Sequence, residues 1–158
     1  MDNSAATIVT RSVIEKEGMY LMVQEGKSSV KGLWGFPGGK VDAGELLTIS
    51  AMREIREETG VTAKLTGLIN MNYIVGNKTS GFTLIITFKA KAIFIPEAFS
   101  ITPEVLSVKW MTLKDISQLE QEGQLRNKTL GEVINLASTK ILLPLSFITE
   151  EVVSLVGV

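Results

Sequence analysis

The feature that most restricts how this chain can fold is the stretch from Leu46 to Thr59. It has no glycine or proline, is rich in helix-forming residues, and lies between a glycine-dense segment (Trp34 to Gly44) and Gly60. This composition predicts a helix, with Gly60 in the left-handed position that commonly closes one. The flanking sequence reads as strands. Ala5 to Glu15 is rich in Thr, Ile and Val, Glu17-Gly18 supplies a turn, and Met19 to Gln24 continues as a second strand ahead of a polar loop from Glu25 to Gly32. Beyond the helix, Val61 to Ile69 and Asn70 to Val75 read as short strands. The turn signals Gly76-Asn77 and Ser80-Gly81 follow, then a strong strand from Phe82 to Ile95, a loop from Pro96 to Pro103, and a strand from Val105 to Met111. Thr112 is placed to cap a helix through Leu119, ending near Gly123, and Thr129 to Ser138 reads as another helix. Strands, a helix, further strands and terminal helices predict an α+β fold, a mixed β-sheet with helices on its faces. With no repeat and no Pro/Ser-rich linker, residues 1–158 read as one domain, long enough to bury a core without staples.

At 100° per residue, Glu54, Glu57 and Glu58 share one face of the predicted helix, while Thr48, Met52 and Ile55 gather on another that can pack on a sheet. Like charges at these spacings cost a helix roughly a few tenths of a kcal/mol per pair. A hard divalent cation would reverse that sign, because magnesium takes carboxylate oxygens and bridges them to substrate phosphates. The competing reading is a solvated acidic face relieved by Arg53 and Arg56. Gly38-Gly39, just upstream, permits a tight turn and close backbone approach to a ligand, with carbonyls for a metal or amides for phosphate oxygens.

The chain contains no cysteine and no histidine. Disulfides, thiolate metal sites, thiol nucleophiles, Ser-His-Asp triads and imidazole bases are therefore excluded. Sixteen Lys and Arg against seventeen Asp and Glu leave a formal charge of -1, which gives no electrostatic reason to expect a nucleic-acid polymer as partner. Apolar runs such as Leu84-Ile85-Ile86 and Ile141-Leu142-Leu143 are too short to cross a bilayer, and the first residues, with Asp2 and Asn3, lack a signal-peptide pattern. These features predict a cytoplasmic protein with no membrane partner.

Gly39, five residues, Glu45, seven residues, then Arg53-Glu54-Ile55-Arg56-Glu57-Glu58-Thr59-Gly60-Val61 resembles the Nudix box at every defined position. The run from Leu33 to Gly39 leading into it is also similar to that family. The resemblance implies an α/β/α sandwich with a mixed sheet and a catalytic loop-helix. It also implies a hydrolase that splits a pyrophosphate bond in a nucleoside di- or triphosphate or a related nucleoside-diphosphate derivative, using Mg²⁺ or Mn²⁺. On this implication Glu54, Glu57 and Glu58 are metal ligands, with the Gly39 carbonyl as a further one. Glu45 is auxiliary, Arg53 orients a glutamate by ion pairing, and Glu54 is the first candidate for the base that takes the proton of water.

A further carboxylate often completes such a site. Glu104 is the choice, since Glu104-Val105 followed by Lys109-Trp110 resembles the relevant stretch, and Glu97 is second. For substrate binding, Trp34, Phe36, Tyr73 and Phe82 offer flat surfaces, although each also suits a core or wall. Trp110 reads as core. Gly38 offers close backbone approach, and Arg126 offers a phosphate-binding fork. Leu125-Arg126-Asn127 is faintly similar to Nudix phosphatases acting on nucleoside phosphates and thiamine pyrophosphate, whereas markers of other Nudix subfamilies are missing. Two other classes stay open: a ligand-sensing module without turnover, which the intact glutamate set and the lack of a DNA-binding appendage disfavour, and a diphosphate isomerase, which the lack of cysteine disfavours. The apolar stretch from Ile141 to Val158 can pack on the core or form a homodimer contact.

Overall fold

The computed structural model describes residues 6–75, 81–127, 130–139 and 142–151. The turn signal Gly76-Asn77 with Ser80, the helix start at Thr129, and Ile141 and Val152 to Val158 of the C-terminal stretch lie outside them. Strand β1 (Ala6–Lys16) is the hub of the sheet. Its end turns through Glu17 (φ 53°) and Gly18 (φ 75°) into β2 (Met19–Glu25). Two successive positive φ angles are what a two-residue hairpin with right-handed strand twist requires. Two short strands, β3 (Trp34–Gly35) and β4 (Gly38–Lys40), follow, then helix α1 (Leu47–Thr59). Strands β5 (Thr62–Val75), β6 (Phe82–Phe94) and β7 (Val105–Thr112) precede helices α2 (Leu113–Gln121) and α3 (Leu130–Ser138). β1 runs parallel to β6 and antiparallel to β4, β6 pairs antiparallel with β5, and β2 pairs antiparallel with both β3 and β7. The sheet is thus mixed and the architecture α+β, as the order of elements implied.

Neighbouring strand residues point into two different cores, so the sheet is covered on both faces. Ile14, Leu21, Val23 and Leu68 pack with Ala51 and Ile55 of α1, whereas Val13, Tyr20, Met22 and Ile69 pack with Ile116 of α2 and Val133, Ile134 and Ala137 of α3. Leu145 and Ile148 add to the first core and Leu142 to the second, so the described part of the C-terminal stretch packs on the protein itself.

The glycine-dense segment, given no element from the sequence, contributes β3 and β4. Two expectations change. The two short strands after the helix are one strand, β5, whose register shifts at Thr62/Ala63, Leu65/Gly67 and Leu68/Asn70 bend it without breaking it. The buried face of α1 is Ser50, Ala51, Ile55, Glu58 and Thr59, with Thr48 and Met52 only half-buried, so one glutamate sits on the packed side. α1 starts at Leu46 without a side-chain cap of its own. Glu150, from the far end of the chain, supplies one: its carboxylate accepts from the Leu47 and Thr48 amides and, at 2.5 Å, from the Thr48 hydroxyl. Gly60 closes the helix with φ 73° and donates to the Arg56 carbonyl at 2.8 Å. Thr112 and Asp115 form a reciprocal capping box at the start of α2, as Thr112 implied.

Candidate active site

Helix α1 lies across β1 and β4, and three contacts fix it there. The Ser50 and Thr10 hydroxyls are 3.1 Å apart, and the Gly38 amide donates to Glu58 Oε2 at 2.9 Å. The third is a close approach, because a Cβ on Gly39 would collide with the Glu54 carboxylate and one on Gly38 with the Thr10 carbonyl. Glycine at 38 is therefore required by the backbone of β1, whereas a side chain at 39 would displace the Glu54 carboxylate from its place. Both glycines form strand, not a tight turn, and the Gly38 amide is already committed to Glu58.

Arg53 organises the acidic end. Its Nε and Nη2 each reach one oxygen of Glu45 at 2.8 Å, a two-pronged pair. Its Nη1 lies 2.8 Å from Glu54 Oε1 and 3.1 Å from Glu57 Oε2, and its Nη2 also donates to the Lys40 carbonyl at 3.2 Å. The pairing holds the Glu45 carboxyl down at about 2, chiefly through the Arg53 hydrogen bonds, and raises the Arg53 guanidinium above its ordinary value. Glu58 is 8% exposed, and burial pushes its carboxyl up to about 8 against the opposing pull of the Gly38 amide. Burial also raises Glu54, while Arg53 opposes the shift.

Glu54, Glu57, Glu58 and Glu104 line one cavity of about 290 Å³. Glu104 is reached through an exposed pair with Lys27 at 3.3 Å, and its carbonyl accepts from the Gly26 amide at 2.7 Å. Glu97 is exposed and lines none of the cavities described. Among the described residues no three carboxylates converge as they stand into a cage for a metal ion. The donor set nonetheless suits a hard divalent ion: four carboxylates and no softer ligand face one space, and a guanidinium nitrogen already sits between Glu54 and Glu57 as a cation would.

Glu54 also borders a second cavity, of about 530 Å³, lined by Lys27, Lys40, Gly38, Gly39 and Arg126 among others. Gly38 and Arg126 border in turn a third, of about 120 Å³, with Val9, Arg11, Phe36, Ile85 and Asn127. The three adjoin through shared walls, Glu54 between the first and second and Val9, Gly38 and Arg126 between the second and third, and together form a cleft lined by carboxylates, then lysines, then an apolar slot.

Of the residues read as substrate-binding, Phe36, Gly38 and Arg126 line this cleft. Trp34 does not. It is buried in the second core with Lys109 Nζ 5.6 Å from its ring centroid, because the β2–β3 pairing turns it inward. Tyr73 and Phe82 pack on each other in a tilted arrangement, with ring centroids 5.1 Å apart, and line none of the cavities described, and Trp110 packs on the first core as expected. Sequence reasoning missed Arg11, Glu25, Lys27 and Thr87. Arg11 and Glu25 are 5% and 2% exposed, and Glu25 forms a close ion pair with Arg126. The available signal for Arg11 was a lone charge in the middle of an apolar strand.

The fold and the box on α1 define a class, and comparison with known proteins agrees. The family model described as NUDIX domain matches residues 3–131. The chain belongs to the Nudix hydrolase family. It is 27% identical over 128 residues to the phosphatase NudJ of Escherichia coli (strain K12), covering 80% of each protein. It is 30% identical over 81 residues to the ADP-ribose pyrophosphatase of Methanocaldococcus jannaschii, a match to 51% of this chain that spans only 48% of that protein. A solved NUDIX hydrolase from Nitrosomonas europaea superposes with TM-score 0.84 at 19% identity, over 95% of this chain and 100% of that one. Members of this family generally use divalent metal ions.

Proposed function

We propose that this protein hydrolyses a pyrophosphate bond in a nucleoside di- or triphosphate or a related nucleoside-diphosphate derivative, by attack of water on phosphorus, with Mg²⁺ or Mn²⁺ held by Glu54, Glu57, Glu58 and Glu104 and the Gly39 carbonyl. The observation that carries it is that Glu54 borders both the acidic cavity and the lysine-lined one. A carboxylate thus stands where a phosphate chain held by Lys27, Lys40 and Arg126 would meet the acidic end. Bound there, the divalent ion would neutralise pyrophosphate oxygens and lower the pKa of a coordinated water.

The chain's own groups do the rest. Arg53 holds Glu54 by Oε1, which leaves Oε2 without a hydrogen bond among the described residues. Oε2 faces the cavity free of Arg53, and Glu54 takes the proton of the attacking water there. Glu45 acts through Arg53, keeping the guanidinium in place by its two-pronged pair. We also place the protein in the cytoplasm on its cysteine-free composition; among the described residues no helix is long and apolar enough to cross a membrane.

The test is phosphate and pyrophosphate release from nucleoside tri- and diphosphates, ADP-ribose, dinucleoside polyphosphates and thiamine pyrophosphate, with Mg²⁺ and with EDTA. The proposal predicts metal-dependent release from nucleotide members of the panel. Release from thiamine pyrophosphate alone would replace the nucleotide reading, and binding without any release would replace hydrolysis with a sensing role.

A further inference from the structure

Arg11 lies in the middle of β1 and is 5% exposed. Its Nε and Nη2 both donate to the Thr87 hydroxyl of β6, at 3.2 and 2.9 Å. Its Nη1 is buried without any hydrogen-bond partner, and no carboxylate pairs with it among the described residues. A buried cation with an unused donor is costly, and a ligand or an ordered water reaching Nη1 from the slot would offset that cost. Burial, followed by repulsion from Arg126, lowers the guanidinium to about 10, which leaves it charged at neutral pH. Arg126 is in a different state, since Glu25 already compensates it.

Arg11 lines the small slot at the end of the cleft remote from the carboxylates, with Val9, Phe36 and Ile85 as apolar walls. On the same sheet face, Asn70 and Asn72 of β5 stand in register with Thr87 and Ile85, and each has a buried side-chain oxygen without a partner. The slot therefore offers flat apolar walls and a spare N–H donor, and spare acceptors lie in the adjacent strand. A ring carbonyl projects an acceptor with two lone pairs toward Arg11 Nη1, whereas in the amino-bearing counterpart a donor takes that place and Nη1 is left with only the neighbouring ring nitrogen.

We propose that Arg11 is a specificity-determining residue that selects substrates whose base presents a carbonyl edge (hypoxanthine, guanine or uracil) over their amino-bearing counterparts. This rests on the reading of the protein as a nucleotide hydrolase, but its test does not require turnover. Binding of nucleoside monophosphates is measured by calorimetry in EDTA, using pairs that differ only at the group in question: IMP against AMP, and UMP against CMP. Wild type should bind the oxo member of each pair about tenfold or more tighter. Arg11→Met should abolish the preference by weakening the oxo member alone, and Arg11→Lys should restore part of it. In turnover the Met variant should raise KM for the oxo substrate with little change in kcat. If Arg11→Met does not fold, the wild-type pairs and Thr87→Val, which releases the anchored fork, decide the matter. Equal binding within the pairs, an amino preference, no binding at all, or loss of both members together would overturn the proposal. So would Arg11-dependent competition by orthophosphate, which would make the slot a phosphate subsite. Pair-blind binding with intact hydrolysis would sink this inference alone, whereas selective binding without hydrolysis would sink the proposed activity alone.

Discussion

The two ends of the cleft are built in opposite ways. The acidic end draws Gly38, Gly39, Glu45, Arg53, Glu54, Glu57 and Glu58 from one short stretch, with helical spacing bringing most of them together, and only Glu104 of its carboxylates comes from a distant segment. The basic end draws Arg11, Glu25, Thr87 and Arg126 from segments far apart in the chain, and only the pairing of β1 with β6 and the close ion pair to β2 bring them together. The first end is half-exposed and carries surplus negative charge around Arg53; the second is buried and carries a surplus positive charge at Arg11. Chemistry is thus assigned to local structure, and recognition to the tertiary fold.

The largest effect expected from breaking this division is at Glu54. Glu54→Gln should lower kcat by about a hundredfold to a thousandfold, the scale of removing one preorganised charge, with the thermal midpoint unchanged within a degree or two. A loss of folding in place of a loss of turnover would move Glu54 from the chemistry to the scaffold. At the other end, Arg126→Met strands the buried Glu25 and should cost about 3 kcal/mol in urea denaturation, as expected when one partner of a buried pair is removed.

Two carboxylates of the acidic end with oppositely shifted pKa values should sharpen the comparison through pH. Glu58 has its folded pKa raised from 4.5 to about 8, so its contribution to stability is full below pH 4.5 and is lost as pH rises through 8. Glu45 has its folded pKa lowered from 4.5 to about 2, so its contribution is full above pH 4.5 and is lost as pH falls toward 2. In EDTA, Glu58→Gln should flatten the alkaline limb of the stability profile and Glu45→Gln the acid limb. Added Mg²⁺ should restore the wild-type alkaline limb. The smallest effect is expected at Glu150. Glu150→Gln weakens the borrowed cap of α1 and should cost about 1 kcal/mol, with a modest fall in activity because the catalytic helix frays at its start.

The same contrast explains what could be read from the sequence. The helix, its closing glycine and its shared glutamate face follow from spacing, so the acidic end was legible. Burial of Glu58 was not, because a wheel shows which residues share a face but not where the packing ends. Trp34 was misread because aromatic character does not say which side of a strand points inward. Val61 to Val75 was divided in two because bulges carry no fixed sequence mark, and the strand bends at them without ending. Arg11 and Glu25 went unremarked because their partners lie 76 and 101 residues away, a distance no local pattern spans.

The account's central claim is that the acidic end of the cleft performs a metal-dependent hydrolysis. It is tested most directly by measuring phosphate release from one accepted nucleotide across a Mg²⁺ titration, for wild type and for Glu57→Gln. The account predicts no release in EDTA, a saturable rise with Mg²⁺ in wild type, and a variant that needs more metal and still turns over at least about a hundredfold more slowly. Equal release in EDTA, or a variant that follows the wild-type curve, would contradict it.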